Sequence, residues 1–153
     1  MGNWNFSESI TIARPPEEVY ALVSDITRMG EWSPVCTGCW WDDDARGVGA
    51  WFTGHNETPE RTWETRSQVA VDDPGREFAF NVGGDRTRWG YTFKQNAAGT
   101  QLTESWEVLP AGVRHFTERY GASAEAELRL RETSAHTGIH ETLAALKKAA
   151  EVR

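Results

Sequence analysis

The chain has 153 residues, of which 39% are hydrophobic and 25% are charged, and its net charge is -7. This is enough apolar material for one globular domain, and we predict that residues 1–153 form a single domain. The acidic balance argues against a nucleic-acid partner and against an anionic membrane surface.

The sequence shows no targeting or membrane-spanning segment. No apolar run approaches the ~20 residues that a membrane span needs. The N-terminal residues lack the basic and apolar regions of a signal peptide, so we predict a cytoplasmic protein. The 8 Trp, 6 Phe and 3 Tyr are the unusual part of the composition. They indicate either a bulky core or a broad apolar pocket.

The first predicted elements are a strand and two short helices. Apolar and polar residues alternate from Trp4 to Ala13, which predicts a strand. Glu8 interrupts its apolar face, either as a charge in a cavity or as an edge-strand charge. A helix is predicted to follow from Pro15, because proline suits a first helical turn. A second short helix is predicted over 25–32 and ends before Pro34.

The middle of the chain predicts six consecutive strands joined by short turns. Apolar and polar residues alternate in 61–71, 77–82, 88–95 and 101–109, as expected for a sheet with one face packed and the other solvated. The predicted strands are 36–41, 49–56, 61–71, 77–82, 88–95 and 101–109, and a further short helix is predicted over 113–120.

The end of the chain predicts one long helix from about Ala122 to Glu151. Apolar residues recur there at three- and four-residue spacing, and strong helix formers fill the gaps. Gly138 interrupts the pattern, either as a tolerated defect or as a thin place that leaves room for a ligand. A strongly curved sheet of seven strands can wrap such a helix and leave an apolar pocket between the two.

Several stretches resemble a known superfamily. Ala13–Asp25, continuing to Glu31–Pro34, is similar to the opening signature of START-like, or SRPBCC, proteins. Within that superfamily, the similarity is to the bacterial polyketide cyclase/dehydrase-like proteins. Later blocks are similar in the same order: Val48–Asn56, Trp63–Val69, Asp73–Phe80 and Gly99–Glu107.

This resemblance implies an α+β helix-grip fold. In this fold a seven-stranded antiparallel sheet wraps around a long C-terminal helix, two short helices follow the first strand, and a cavity lies inside. It also implies a small hydrophobic ligand of aromatic, polyketide-like or lipid character, and it supplies no catalytic triad.

Polar residues on apolar faces are the candidate chemical groups. Glu104 lies in phase with Leu102 and Trp106, so burial would raise the pKa of its carboxyl and suit it to acid or base catalysis. Glu104 would not have that role if a bulge turned its side chain to water or if a basic neighbour neutralised its charge. Tyr91 could donate a hydrogen bond to a ligand oxygen. Asn56 could orient a carbonyl, or it could cap a turn.

His136 and His140 are four residues apart on the long helix and flank Gly138. They could present a base, with His140 the second catalytic candidate, or they could be a solvated pair at the edge of the core. We predict no metal site and no cofactor. The aromatic residues in phase on the strands are predicted to line the ligand site, unless they fill a solid core: Trp63, Phe78, Phe80, Trp89, Tyr91 and Trp106.

Cys36 and Cys39 form a Cys-x-x-Cys without the second ligand pair that a zinc site needs, so we interpret them as reduced structural cysteines. Our leading functional hypothesis is a protein that binds a small hydrophobic molecule; if the protein is an enzyme, its reaction is cyclisation or dehydration. The alternative is a non-catalytic carrier of hydrophobic ligands or lipids. A monomer and a homodimer both remain open.

Overall fold

The computed structural model describes residues 4–152. Residues 1–3 and 153 of the predicted domain lie outside the described part. The elements in chain order are β1 (Asn5–Ile12), α1 (Pro16–Ser24), a 3-10 helix (Ile26–Glu31), β2 (Cys36–Trp41), β3 (Trp51–Glu57), β4 (Thr62–Asp73), β5 (Glu77–Val82), β6 (Thr87–Asn96), β7 (Gly99–Val108), α2 (Pro110–Tyr120), a second 3-10 helix (Gly121–Ser123) and α3 (Ala124–Glu151).

The seven strands form one antiparallel sheet in the order β1-β7-β6-β5-β4-β3-β2. From β2 to β6 each strand pairs with the next strand along the chain, which confirms the predicted meander. The first strand pairs with the last, so β1 and β2 lie at the two edges of the sheet. The predicted helix-grip architecture, with its long C-terminal helix, is confirmed.

Alternation along the strands, which is most regular on β7, decides which side chains face α3. On β7 the even-numbered residues from Thr100 to Val108 are buried, and the residues between them are half-buried or exposed. Because successive strand residues point to opposite faces, this pattern gives the sheet one concave apolar face and one wet face. Irregular pairing within β2 and within β4 marks places where the sheet can bend.

Helix α3 has 28 residues, which at 1.5 Å per residue makes it about 42 Å long. Its buried stripe includes Leu128, Ile139, Leu143 and Leu146, as the periodicity predicted. The helix packs mainly along β1. Near the C-terminal end of α3, the Lys147 ammonium donates a 2.8 Å hydrogen bond to the backbone carbonyl of Thr11 in β1. This bond holds that end of the helix over the edge strand.

The short helices differ from prediction in detail. The second one is a 3-10 helix, and α2 begins at Pro110 rather than at Val113. Proline is accepted at the start of a helix because the first amides there lack intrahelical partners. None of the described helices combines the length and apolarity needed to span a membrane.

Candidate functional site

The most unusual polar group on the concave face is the carboxyl of Glu104. Glu104 lies on β7 directly opposite Tyr91 on β6. The two side chains are 3% and 6% exposed. The Tyr91 hydroxyl donates a 3.0 Å hydrogen bond to Oε2 of Glu104. The structure therefore brings together two of the residues selected from the sequence.

The environment of Glu104 favours its neutral form. Burial raises the pKa of the Glu104 carboxyl to about 8, the Tyr91 hydrogen bond opposes this rise, and the carboxylate of Glu8 adds to it. Burial, followed by the charge on Glu104, raises the pKa of Tyr91 well above its ordinary value. At neutral pH the pair is therefore a phenol and a predominantly protonated carboxyl, both able to donate a proton.

One oxygen of this carboxyl is unsatisfied. Oε1 of Glu104 is buried and has no hydrogen-bond partner among the described residues. A buried polar atom without a partner costs about 1–3 kcal/mol, so such atoms are uncommon unless a ligand or water completes them. Because Tyr91 donates to Oε2, the proton of the neutral carboxyl resides best on Oε1. That O–H group could donate to a ligand oxygen.

Four of the predicted aromatic residues lie on the same strands as this pair or on the adjacent strand. Phe78 lies opposite Tyr91 across β5 and β6, and Phe80 lies opposite Trp89. Trp89 in turn lies opposite Trp106, two residues along each strand from the Tyr91–Glu104 pair and on the same face. Phe78, Phe80 and Trp106 are buried, while Trp89 is partly buried against them. Three of these residues belong to the apolar core and Trp89 packs against it, so the surroundings of the Glu104 pair are apolar.

Asn56 and Trp63 lie opposite each other on β3 and β4, at the other end of the concave face. The Asn56 amide donates to the Trp63 carbonyl at 3.4 Å and to the Thr65 hydroxyl at 3.3 Å. The Arg61 guanidinium stacks on the Trp63 ring at 4.1 Å. The amide of Asn56 is thus already bonded within the sheet, and no hydrogen bond joins it to the Glu104 pair.

The two helix histidines lie on the outer rim of the molecule. The His140 ring nitrogen Nδ1 is 2.8 Å from Oε2 of Glu8, and the His140 side chain is 74% exposed. His136 is also exposed and stacks on Phe6, with ring centroids 3.7 Å apart. These residues line an open groove of about 370 Å³ along the edge strand β1.

Glu8 links this groove to the buried pair, because it lies directly opposite Glu104 in the register of β1 and β7. The structure does not bring His140 into contact with Glu104. In the sequence, Glu8 stood out because it interrupts the apolar face of β1. It is an edge-strand charge that also lies on the inward-facing side of its strand.

Gly138 lies on the flank of α3 away from β1 and is half-buried. A β-carbon built at this position would meet no other atom within 4 Å. Space is therefore available beside the helix at the position where the sequence suggested a thin place. Within residues 4–152 no three histidine, cysteine or acidic side chains are grouped as metal ligands.

Comparison with known proteins places the chain in a family. Residues 3–151 match the family described as polyketide cyclase / dehydrase and lipid transport. The solution structure of the Polyketide_cyc-like protein Cgl2372 from Corynebacterium glutamicum is 51% identical, with a TM-score of 0.73 over 99% of this chain and 93% of that one. The chain therefore belongs to the polyketide cyclase/dehydrase-like family.

More distant structures share the fold. The Zhui aromatase/cyclase from Streptomyces sp. R1128 is 16% identical, with a TM-score of 0.73 over 96% of this chain and 93% of that one. The di-domain ARO/CYC BexL from the BE-7585A biosynthetic pathway is 19% identical, with a TM-score of 0.75 over 99% of this chain and 51% of that one. No curated protein matches the chain significantly.

Proposed function

We propose that this chain binds a small hydrophobic molecule carrying a carbonyl or hydroxyl oxygen against the concave face, and that Glu104 acts on it as a general acid. The observation that carries this proposal is the unpartnered Oε1 of a predominantly protonated, buried carboxyl. The aromatic surroundings suit an apolar ligand body, and the unpartnered O–H group selects a ligand with a hydrogen-bond acceptor.

The chemistry that this arrangement supports is the dehydration step of a cyclisation. Loss of water from a β-hydroxy carbonyl compound needs a proton for the departing hydroxyl and removal of a proton from the α carbon. Glu104 can supply the first proton, and the carboxylate left behind can take the second, so that the residue returns to its starting state. Tyr91 stabilises that transient carboxylate through its hydrogen bond.

Two fluorescent probes test the ligand requirement. A 6-acyl-2-dimethylaminonaphthalene carries a carbonyl on an apolar aromatic body, and 2-dimethylaminonaphthalene lacks that carbonyl. We expect the ketone to bind about tenfold more tightly, since one hydrogen bond contributes roughly 1 kcal/mol or more. In Glu104→Met, which keeps the volume and loses both oxygens, we expect this preference to disappear.

The pH dependence separates acid chemistry from simple apolar binding. Ketone binding by the wild type should weaken as pH rises through about 8, because ionisation of Glu104 removes its O–H donor. Glu104→Gln should keep a flat profile, because its amide donor does not titrate. Identical flat profiles for both proteins would remove the acid assignment.

The carrier alternative is separated from the enzyme by what the protein retains. Native mass spectrometry of freshly purified protein, followed by denaturation, identifies any released molecule. A tightly held lipid with no oxygen near Glu104 would favour the carrier. For the enzyme we expect turnover of a β-hydroxy ketone that is lost in Glu104→Gln while binding of the ketone probe persists.

A further inference from the structure

The two cysteines of the chain lie on the same face of β2, although their spacing predicts otherwise. In a regular strand residues three apart point to opposite faces, because the side-chain period is two. The pairing of β2 with β3 shifts register between Cys36 and Gly38. An irregularity of this kind adds a residue to one strand and turns the next side chain over. Both Cys36 and Cys39 are consequently buried in the same apolar core.

The two sulfur atoms converge over a glycine of the neighbouring strand. Cys39 lies opposite Gly54 on β3. A β-carbon built on Gly54 would lie 3.6 Å from the Cys36 sulfur and 3.7 Å from the Cys39 sulfur. Both sulfur atoms therefore border the space that a side chain at position 54 would occupy. Both cysteines are free, and they are 6% and 7% exposed.

The pair is chemically asymmetric. The neighbouring Cys39 thiol is the main reason that the pKa of Cys36 is lowered to about 7. The Cys36 thiol also donates a 3.2 Å hydrogen bond to the backbone carbonyl of Gly38. The neighbouring Cys36, followed by burial, raises the pKa of Cys39 above its ordinary value. In an asymmetric dithiol of this kind, the cysteine of lower pKa supplies the thiolate that attacks a disulfide. The other cysteine then resolves the mixed disulfide that this attack forms.

We propose that Cys36 and Cys39 form a thiol–disulfide exchange site whose co-substrate is a low-molecular-weight disulfide. The Cys36 thiolate attacks one sulfur of the small disulfide, which forms a mixed disulfide and releases one small thiol. Cys39 then loses its proton to solvent and attacks the Cys36 sulfur, which releases the second small thiol. The protein gives up two electrons and two protons, and the small disulfide is reduced to two thiols.

This site is distinct from the Glu104 pair, and its test does not depend on the proposed ligand. Fully reduced, folded wild-type protein is incubated with oxidised glutathione and quenched with iodoacetamide, and its intact mass is measured. The expected product is lighter than the reduced protein by two hydrogen atoms and has lost both alkylation sites. Peptide mapping should place the link between Cys36 and Cys39.

Two variants separate the roles of the cysteines. Cys39→Ala should stop at a stable mixed disulfide of Cys36 with one glutathione. Cys36→Ala should stay alkylatable at Cys39 without forming an adduct. Tryptophan fluorescence of each sample establishes that the reacting protein is folded. If a variant fails to fold, the wild-type experiment alone still tests whether the two cysteines form the internal disulfide.

Two results would overturn the proposal. If both cysteines of folded wild type remain alkylatable after long exposure to oxidised glutathione, the thiols are structural only. If wild type accumulates a stable mixed disulfide instead of the internal one, the two sulfurs do not act as a pair.

Discussion

Replacing Glu104 by glutamine should change how the stability of this protein depends on pH. The folded-state pKa of Glu104 is about 8, against an ordinary value of 4.5. Below the ordinary value the carboxyl is protonated in both the folded and unfolded chain, so stability is fully present. Between the two values the unfolded chain has lost the proton that the folded protein keeps, so stability falls as pH rises.

The size of this effect follows from the two pKa values. Each pH unit in this window costs about 1.4 kcal/mol of unfolding free energy, and the whole window costs about 5 kcal/mol. Above the folded pKa both states are ionised, and the loss levels off. Glutamine keeps an oxygen that can accept from Tyr91, and it cannot ionise, so Glu104→Gln should lack this component entirely.

Urea unfolding followed by tryptophan fluorescence measures the effect. Wild type, Glu104→Gln and the control Glu107→Gln are compared from about pH 5 to about pH 9, which covers most of the window and its upper end. Glu107 lies on the same strand but is exposed on the opposite face. We expect wild type and Glu107→Gln to lose stability relative to Glu104→Gln by about 1.4 kcal/mol per pH unit up to about pH 8. Parallel curves for all three proteins would refute a buried neutral carboxyl at this position.

Four further substitutions test other parts of the structure. Tyr91→Phe removes the hydrogen bond that lowers the pKa of Glu104, so carbon-13 NMR should find a higher titration midpoint for that carboxyl, at a cost of about 1–3 kcal/mol in stability. Gly138→Ala should stabilise α3 by roughly 1 kcal/mol, because the added β-carbon meets no atom within 4 Å. Gly112→Ala should instead destabilise the protein, because the added β-carbon would clash with the backbone carbonyl of Arg86. His140→Gln should change the unfolding free energy by less than about 1 kcal/mol and leave ketone binding unaltered, because this histidine is largely exposed and contacts Glu8.

Each of these predictions has a contrary outcome. An unchanged or lower midpoint in Tyr91→Phe would mean that the phenol does not stabilise the carboxylate. Loss of stability in Gly138→Ala, measured by thermal unfolding, would show that the glycine packs closely in solution. If Gly138→Leu binds the ketone probe as wild type does, the space beside Gly138 is not part of the ligand site. A large loss of turnover in His140→Gln would return that histidine to the catalytic group.

The local pattern of the sequence was sufficient for most of the fold. Alternation on most strands, together with the turns between them, predicted all seven strands, and the three- and four-residue spacing of apolar residues predicted α3 to within two residues of its observed start. These signals are strong because burial of one face is the main source of stability for a sheet or helix. Burial of one face requires apolar residues at regular spacing, and that spacing can be read directly from the sequence. The in-phase position of Glu104 on β7 was visible for the same reason.

Tertiary structure alone decided which of these residues meet. Pairing of β1 with β7 brought Glu8 opposite Glu104, and the register of β6 with β7 brought Tyr91 opposite Glu104. The position of α3 along β1 kept His140 at the exposed rim, and the irregularity in β2 turned both cysteines inward. Register, packing and bulges are set by the sum of many weak contacts across distant parts of the chain. No single stretch of sequence therefore carries the information that places these side chains together.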